Sequence, residues 1–193
     1  MHAWLKQARD RQRTARSLYG SIVTQARSRS IYTDWRVPDT IEGRFEMIAL
    51  HLIMVLHRLA REGEPGRRLG QALTELFATD IDDSLREMTV GDLAVPRQVK
   101  RAVAALQDRH AAYGAAFAAM HDGPLAAAIE ARVGGLGGAR GLEAGAICAY
   151  IGEANRALGA LSGAGILGGR VEWPQIGALE EGVRTAAGRW RPP

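Results

Sequence analysis

The sequence predicts an all-α protein, a single-domain bundle of about six to eight helices led by a basic N-terminal helix. Three observations predict it. Apolar residues recur three and four apart through segment after segment. Glycine and proline cluster between those segments. No parallel sheet can be traced anywhere in the chain. With 193 residues and 47% hydrophobic side chains, there is material for one core. The expected division is a basic helical segment over residues 1–34 and an all-α domain over 35–190. Glycine-rich loops are expected near 134–141 and 162–170.

The first helix is expected over residues 3–28. Trp4, Leu5, Ala8, Ala15, Leu18, Ile22, Val23 and Ala26 form its apolar stripe. Seven cations, from Lys6 to Arg29, face one acid, Asp10. Two readings stand side by side. The helix packs on the domain with a solvated basic face, or it is an arm whose Lys6, Arg9, Arg13 and Arg16 touch an anionic membrane surface, the ribosome through its RNA, or an acidic partner. Nothing marks a sequence-specific nucleic-acid module.

Residues 32–38 read as an extended lead-in, because Val37 precedes Pro38. Asp39 or Thr40 can cap the next helix, Ile41 to about Arg61, the most apolar in the chain. Ile41, Phe45, Ile48, Leu52, Val55, Leu56 and Leu59 occupy one side, while Met47, Leu50 and Met54 occupy the other. A helix apolar all round is central in a bundle. The alternative is a deformable groove at Met47, Leu50 and Met54 that holds a hydrophobic client.

A third helix is expected from near Pro65, with Leu69, Leu73, Leu76 and Phe77 on one face. It runs into Asp80, Asp82 and Asp83. Calcium-loop spacing fails there, since Leu85 and Gly91 stand where glycine and glutamate are needed. The acids are expected to cap a new helix through Thr79 or Asp80, or through a Ser84–Glu87 capping box. Asp82 and Arg86 are spaced for an ion pair. After Gly91, a helix is expected from Pro96 to about His121, then a shorter one over 125–133. Fifteen of the 23 glycines lie at or beyond Gly134. Two more helices are expected, near 143–161 and 175–190.

Catalytic signals are weak. Gly163-Ala-Gly-Ile-Leu-Gly168 matches a dinucleotide fingerprint literally but lacks a preceding strand. The five histidines show no metal-binding helical pair, Cys148 stands alone, and no nucleophile elbow occurs. No enzyme, cofactor or metal is expected. The first thirty residues lack the apolar core of a secretory signal, and no run of eighteen apolar residues occurs. The residues alone predict a soluble protein able to touch a membrane.

Several separated blocks carry a resemblance: Pro38-Asp-Thr, Arg44-Phe-Glu-Met-Ile-Ala-Leu-His51, Asp80-Ile-Asp-Asp-Ser-Leu-Arg-Glu-Met88, Val90-Gly-Asp92 and Tyr113-Gly114. In this order they resemble the ubiquinol–cytochrome c chaperone family, over roughly residues 19–120. Departures occur at Thr89, Pro96 and Ala115. The resemblance implies an all-α assembly factor for respiratory complex III that binds newly made cytochrome b and supports its haem loading. It also implies a small assembly-factor partner near the ribosomal tunnel exit, and a cytoplasmic location peripheral to the inner membrane. Asp82, Asp83, Arg86 and Asp92 would order a helix junction or contact that partner. The rival expectation is a helical protein that binds a small molecule such as quinone, lipid or haem.

Overall fold

A computed structural model describes residues 2–87, 94–118, 122–136 and 141–176, with side chains from Leu5 onward except at 118, 122 and 123. Among these residues eight α-helices and no strand occur. They are α1 (His2–Ala26), α2 (Arg29–Thr33), α3 (Ile41–Leu59), α4 (Gly63–Glu87), α5 (Val95–Ala118), α6 (Asp122–Ile129), α7 (Ala144–Ala160) and α8 (Gly163–Leu167). A 3-10 turn at Ala60–Glu62 joins α3 to α4, and a π-helical turn at Glu130–Gly134 extends α6. The all-α bundle expected from the periodicity is the observed fold. The helix expected over 175–190 lies outside the described residues, apart from its first two.

Helix α3 is the centre. Thr40 caps it, its hydroxyl accepting from the Gly43 amide at 3.2 Å. Helices α1, α4, α5 and α7 pack around it. Its side chains are therefore buried on both faces, Met47, Leu50 and Met54 along with Leu52, Ile53 and Val55. A helix with neighbours on every side needs no polar face. Helix α1 lies across α3 and α4 and buries Ala15, Leu18, Ile22 and Ala26 in the same core cluster.

Three local expectations are corrected. Thr79 and Asp80 do not cap a new helix, because α4 runs unbroken to Glu87. No glycine or proline interrupts residues 71–87. The Thr79 hydroxyl donates back to the Glu75 carbonyl at 3.0 Å, and Phe77 anchors the segment in the core. The Ser84 capping box likewise falls inside this helix. Finally, the stretch 162–170 is not wholly loop. Ser162 accepts from the Gly165 amide at 3.1 Å and starts the short helix α8.

Polar groups pin the remote half of the chain onto α3. His51 is fully buried. Its Nδ1–H donates to the Met47 carbonyl at 2.7 Å, which leaves Nε2 to accept from the Tyr150 hydroxyl at 2.9 Å. Gln25 in turn donates to the Tyr150 oxygen at 3.0 Å, and Trp173 meets the imidazole edge-on. Farther along, Arg58 donates to the carbonyls of Leu158 (2.9 Å) and Leu161 (2.7 Å), and pairs with Glu62 at 2.5 Å. It closes the C-terminal end of α7, where carbonyls lack helical partners.

Burial holds the His51 pKa down to about 4, against 6.5 when exposed. Between these values the unfolded chain binds a proton that the folded protein refuses. Stability is thus full above about pH 6.5 and falls as pH drops toward 4. The expected loss from this residue is about 3 kcal/mol. Urea unfolding of wild type and His51→Gln at pH 7 and pH 4.5 checks it; the variant should lose markedly less stability between the two.

Candidate functional site

The sequence expected a client groove at Met47, Leu50 and Met54. All three side chains are at most 1% exposed, so they offer no open surface. The reason is α7, which arrives from a hundred residues downstream and covers α3. The same helix reaches the surface one turn later. Leu56 is half-buried, and with Leu59, Gly66, Gly70, Thr74 and Leu106 it lines an open trough of about 340 Å³. Helices α3, α4 and α5 form its walls, and Arg67, Gln107 and His110 are its polar rim.

Glycine shapes this trough. A Cβ on Gly66 would stand 2.0 Å from the Leu59 carbonyl oxygen. A Cβ on Gly70 would stand 3.1 Å from the Leu56 methyl Cδ2. Bare backbone lets α4 lie close to the end of α3. Gly63, at φ +60°, makes the turn between them.

The Glu46–Arg109 pair fastens the same stretch of α5 to the first half of α3. Glu46 is 2% exposed inside the apolar helix α3. The Arg109 Nε donates to both carboxylate oxygens at 2.9 and 2.8 Å, Nη2 adds a third bond, and the guanidinium lies 5.1 Å from the Phe45 ring centroid. The pairing raises the Arg109 pKa. Nearby, the buried Tyr113 hydroxyl has no hydrogen-bond partner, and burial with the adjacent Glu46 charge raises its pKa. Apolar periodicity does not single out this pair; its signal is a carboxylate in the second turn of the most apolar helix, beyond the first-turn Glu42.

A niche of about 90 Å³ lies where α3, α5 and α7 converge, lined by Met54, His57, Arg58, Phe117 and Asn155 among others. It is far smaller than the roughly 300–1,000 Å³ of ordinary ligand pockets. The residues Gly163–Gly168 form α8 and its C-terminal turn, preceded by helix α7 and no strand. No group of three potential metal ligands occurs among the described residues.

The remaining sequence-derived residues separate onto two surfaces. Asp82, Asp83 and Arg86 lie in the last turns of α4, with Asp82 and Arg86 paired at 2.7 Å and Asp83 exposed. The Tyr19 hydroxyl donates to Asp80 at 2.9 Å and ties this end of α4 to α1. Asp92 lies outside the described residues. Lys6, Arg9, Arg13 and Arg16 are all exposed on the outer face of α1, with Arg13 paired to Asp10.

The fold is an all-α bundle with an open, apolar trough between α3, α4 and α5. No helix among the described residues is long and apolar enough to cross a membrane. The family model for ubiquinol-cytochrome C chaperone matches residues 33–173, and the chain belongs to that family. A solved structure, that of the Cbp3 homolog from Brucella abortus, is 29% identical in sequence. The match has a TM-score of 0.80 and covers 91% of this chain and 97% of that one. Among curated proteins none matches.

Proposed function

We propose that this chain is an assembly chaperone for respiratory complex III that holds newly made cytochrome b until the complex forms. The observation that carries the reading is the family match over residues 33–173. That span contains every wall of the trough at Leu56, Gly70 and Leu106. An apolar channel open to solvent suits one side of a hydrophobic client segment better than it suits an enclosed small molecule. Family membership supports a role without catalysis. The protein works at the cytoplasmic face of the inner membrane, where cytochrome b is inserted as the ribosome makes it. Asp82, Asp83, Arg86 and Asp92 serve as the contact for a small assembly-factor partner.

The test is capture of the full-length chain from membranes of cells that make complex III. Unassembled cytochrome b is expected to co-purify. A Leu56→Glu variant, which sets a carboxylate in the trough, should capture at least about tenfold less client. Circular dichroism and a thermal melt on the same variant separate lost docking from lost folding. Absence of cytochrome b from the wild-type capture would sink the reading, as would normal complex III in a deletion strain.

A further inference from the structure

The exposed side of α1 carries a row of cations from Lys6 to Arg16, resumed at Arg27 after the neutral Gly20 and Thr24. Lys6, Arg9, Arg13, Arg16, Gly20, Thr24 and Arg27 succeed one another at intervals of three or four, and all are exposed. They lie opposite the buried Ala15, Leu18 and Ile22. The stripe is about 30 Å long at the helical rise. Arg27 also lines an open cleft of about 320 Å³ with Arg29, Tyr32, Asp39 and Arg44, so the basic surface continues to the start of α3.

This stripe is not matched by acids of the same chain. Elsewhere Arg67 and Arg68 pair with Glu64 and Arg86 with Asp82, while Arg36, Arg61, Arg97 and Arg101 are exposed without an ion pair among the described residues but do not follow one another along one helix face in this number. Lys6, Arg9, Arg16, Arg27 and Arg29 have no ion pair among the described residues. The acids within reach are Asp10, held by Arg13, and Asp39, held by Arg44 at 2.6 Å; Asp34 accepts from the Thr33 hydroxyl and also feels the Arg29 charge, and Glu42 is exposed in the first turn of α3. Like charges three and four apart destabilise a helix, and cations near its start oppose the dipole. The first turn of α1 has no acid to offset this. The arrangement weakens the isolated helix, and an external anion would offset it.

Two large apolar side chains stand exposed among the described residues, Leu5 at 42% and Ile41 at 60%. They flank the two ends of this surface. Leu5 shares a hollow with Lys6, Arg9 and Arg13. Ile41 lies one helical turn from Arg44 on α3. A straight row of cations with an apolar side chain at each end matches a flat, charged surface with an oily interior. A nucleic-acid backbone would leave Leu5 and Ile41 unused, and Tyr32 in the cleft is half-buried with its hydroxyl donating to the Ala26 carbonyl, so it does not form a row of stacking platforms.

We propose that the outer face of α1, continued through the Arg27–Arg29–Arg44 cleft, is the surface by which this protein lies on an anionic phospholipid bilayer, with Leu5 and Ile41 inserted at its two ends. The inference rests on the reading that the protein works at a membrane, and it names the contact. The test is co-sedimentation of the full-length protein with vesicles of phosphatidylglycerol mixed with phosphatidylcholine, against phosphatidylcholine alone. Three results are expected together. Binding requires the anionic lipid. The Arg9→Gln/Arg13→Gln/Arg16→Gln variant loses about a hundredfold in partition coefficient, roughly fivefold per charge. Ile41→Ser loses about tenfold. Thermal melts confirm that both variants are folded. Equal binding to neutral vesicles, an unchanged triple variant, or an Ile41→Ser variant that binds like the parent each overturns the proposal. The last does so in favour of a nucleic-acid backbone if homopolymeric RNA competes with the vesicles. No client is present in this assay, so its failure leaves the capture of cytochrome b standing, and the reverse.

Discussion

Arg109→Ala is expected to destabilise the protein by about 3–5 kcal/mol, lowering the melting temperature by roughly 10 °C. The cause is what remains behind. Glu46 is 2% exposed, with α3 apolar on both sides of it. Without the guanidinium its carboxyl group is left buried and without its partner, which is costly in either protonation state. The loss of Arg109 also removes the cation from above Phe45, a smaller effect of about 0.5–1 kcal/mol. Replacing both partners should behave differently. Glu46→Leu/Arg109→Leu removes the charge with its mate and is expected to recover most of the loss. Urea unfolding of the two singles and the double measures this. Near-additive losses would mean that the pair is already hydrated in the folded state.

Gly66→Ala is expected to cost about 3 kcal/mol, while Gly70→Ala should fall within about 1 kcal/mol of wild type. Alanine gains close to 1 kcal/mol over glycine in a helix interior, so both changes begin with a credit. At Gly66 the new methyl meets the Leu59 carbonyl oxygen at 2.0 Å and Glu62 Cβ at 2.9 Å. Neither contact belongs to a freely swinging tip, so the end of α3 must shift from the start of α4. At Gly70 the methyl meets only the Leu56 Cδ2 at 3.1 Å, the far end of a side chain that can turn. Equal melting temperatures for the two variants would show that the α3–α4 junction yields easily.

Much of the fold was readable because periodicity is a local property. The long helices follow their apolar stripes, and the all-round greasiness of residues 41–59 marked the central element. The start of α3 was readable from Thr40 and Pro38 for the same reason. What failed was the choice between alternatives decided by distant residues. Thr79, Asp80 and Ser84 all favour helix caps, yet Tyr19 satisfies Asp80 from another helix and Phe77 holds the segment in place. Met47, Leu50 and Met54 could line a groove or fill a core. The covering helix, residues 144–160, decides it. The trough was unreadable because its walls come from positions as far apart as Leu56 and His110. The basic stripe was partly readable; its extension to Arg27 and Arg44 needed the fold of α2 against α3.

The clasp between Arg58 and the carbonyls of Leu158 and Leu161 has a consequence for biosynthesis. Its partners are separated by 100 and 103 residues, and the His51–Tyr150 bond by 99. At about 5–20 residues per second, the central helix leaves the ribosome some 5–20 seconds before its last covering helix exists. During that interval the side of the central helix that α7 will cover is bare, and contacts of such long range close slowly. A factor that shelters another protein's hydrophobic segments thus passes through a vulnerable, half-clothed stage of its own.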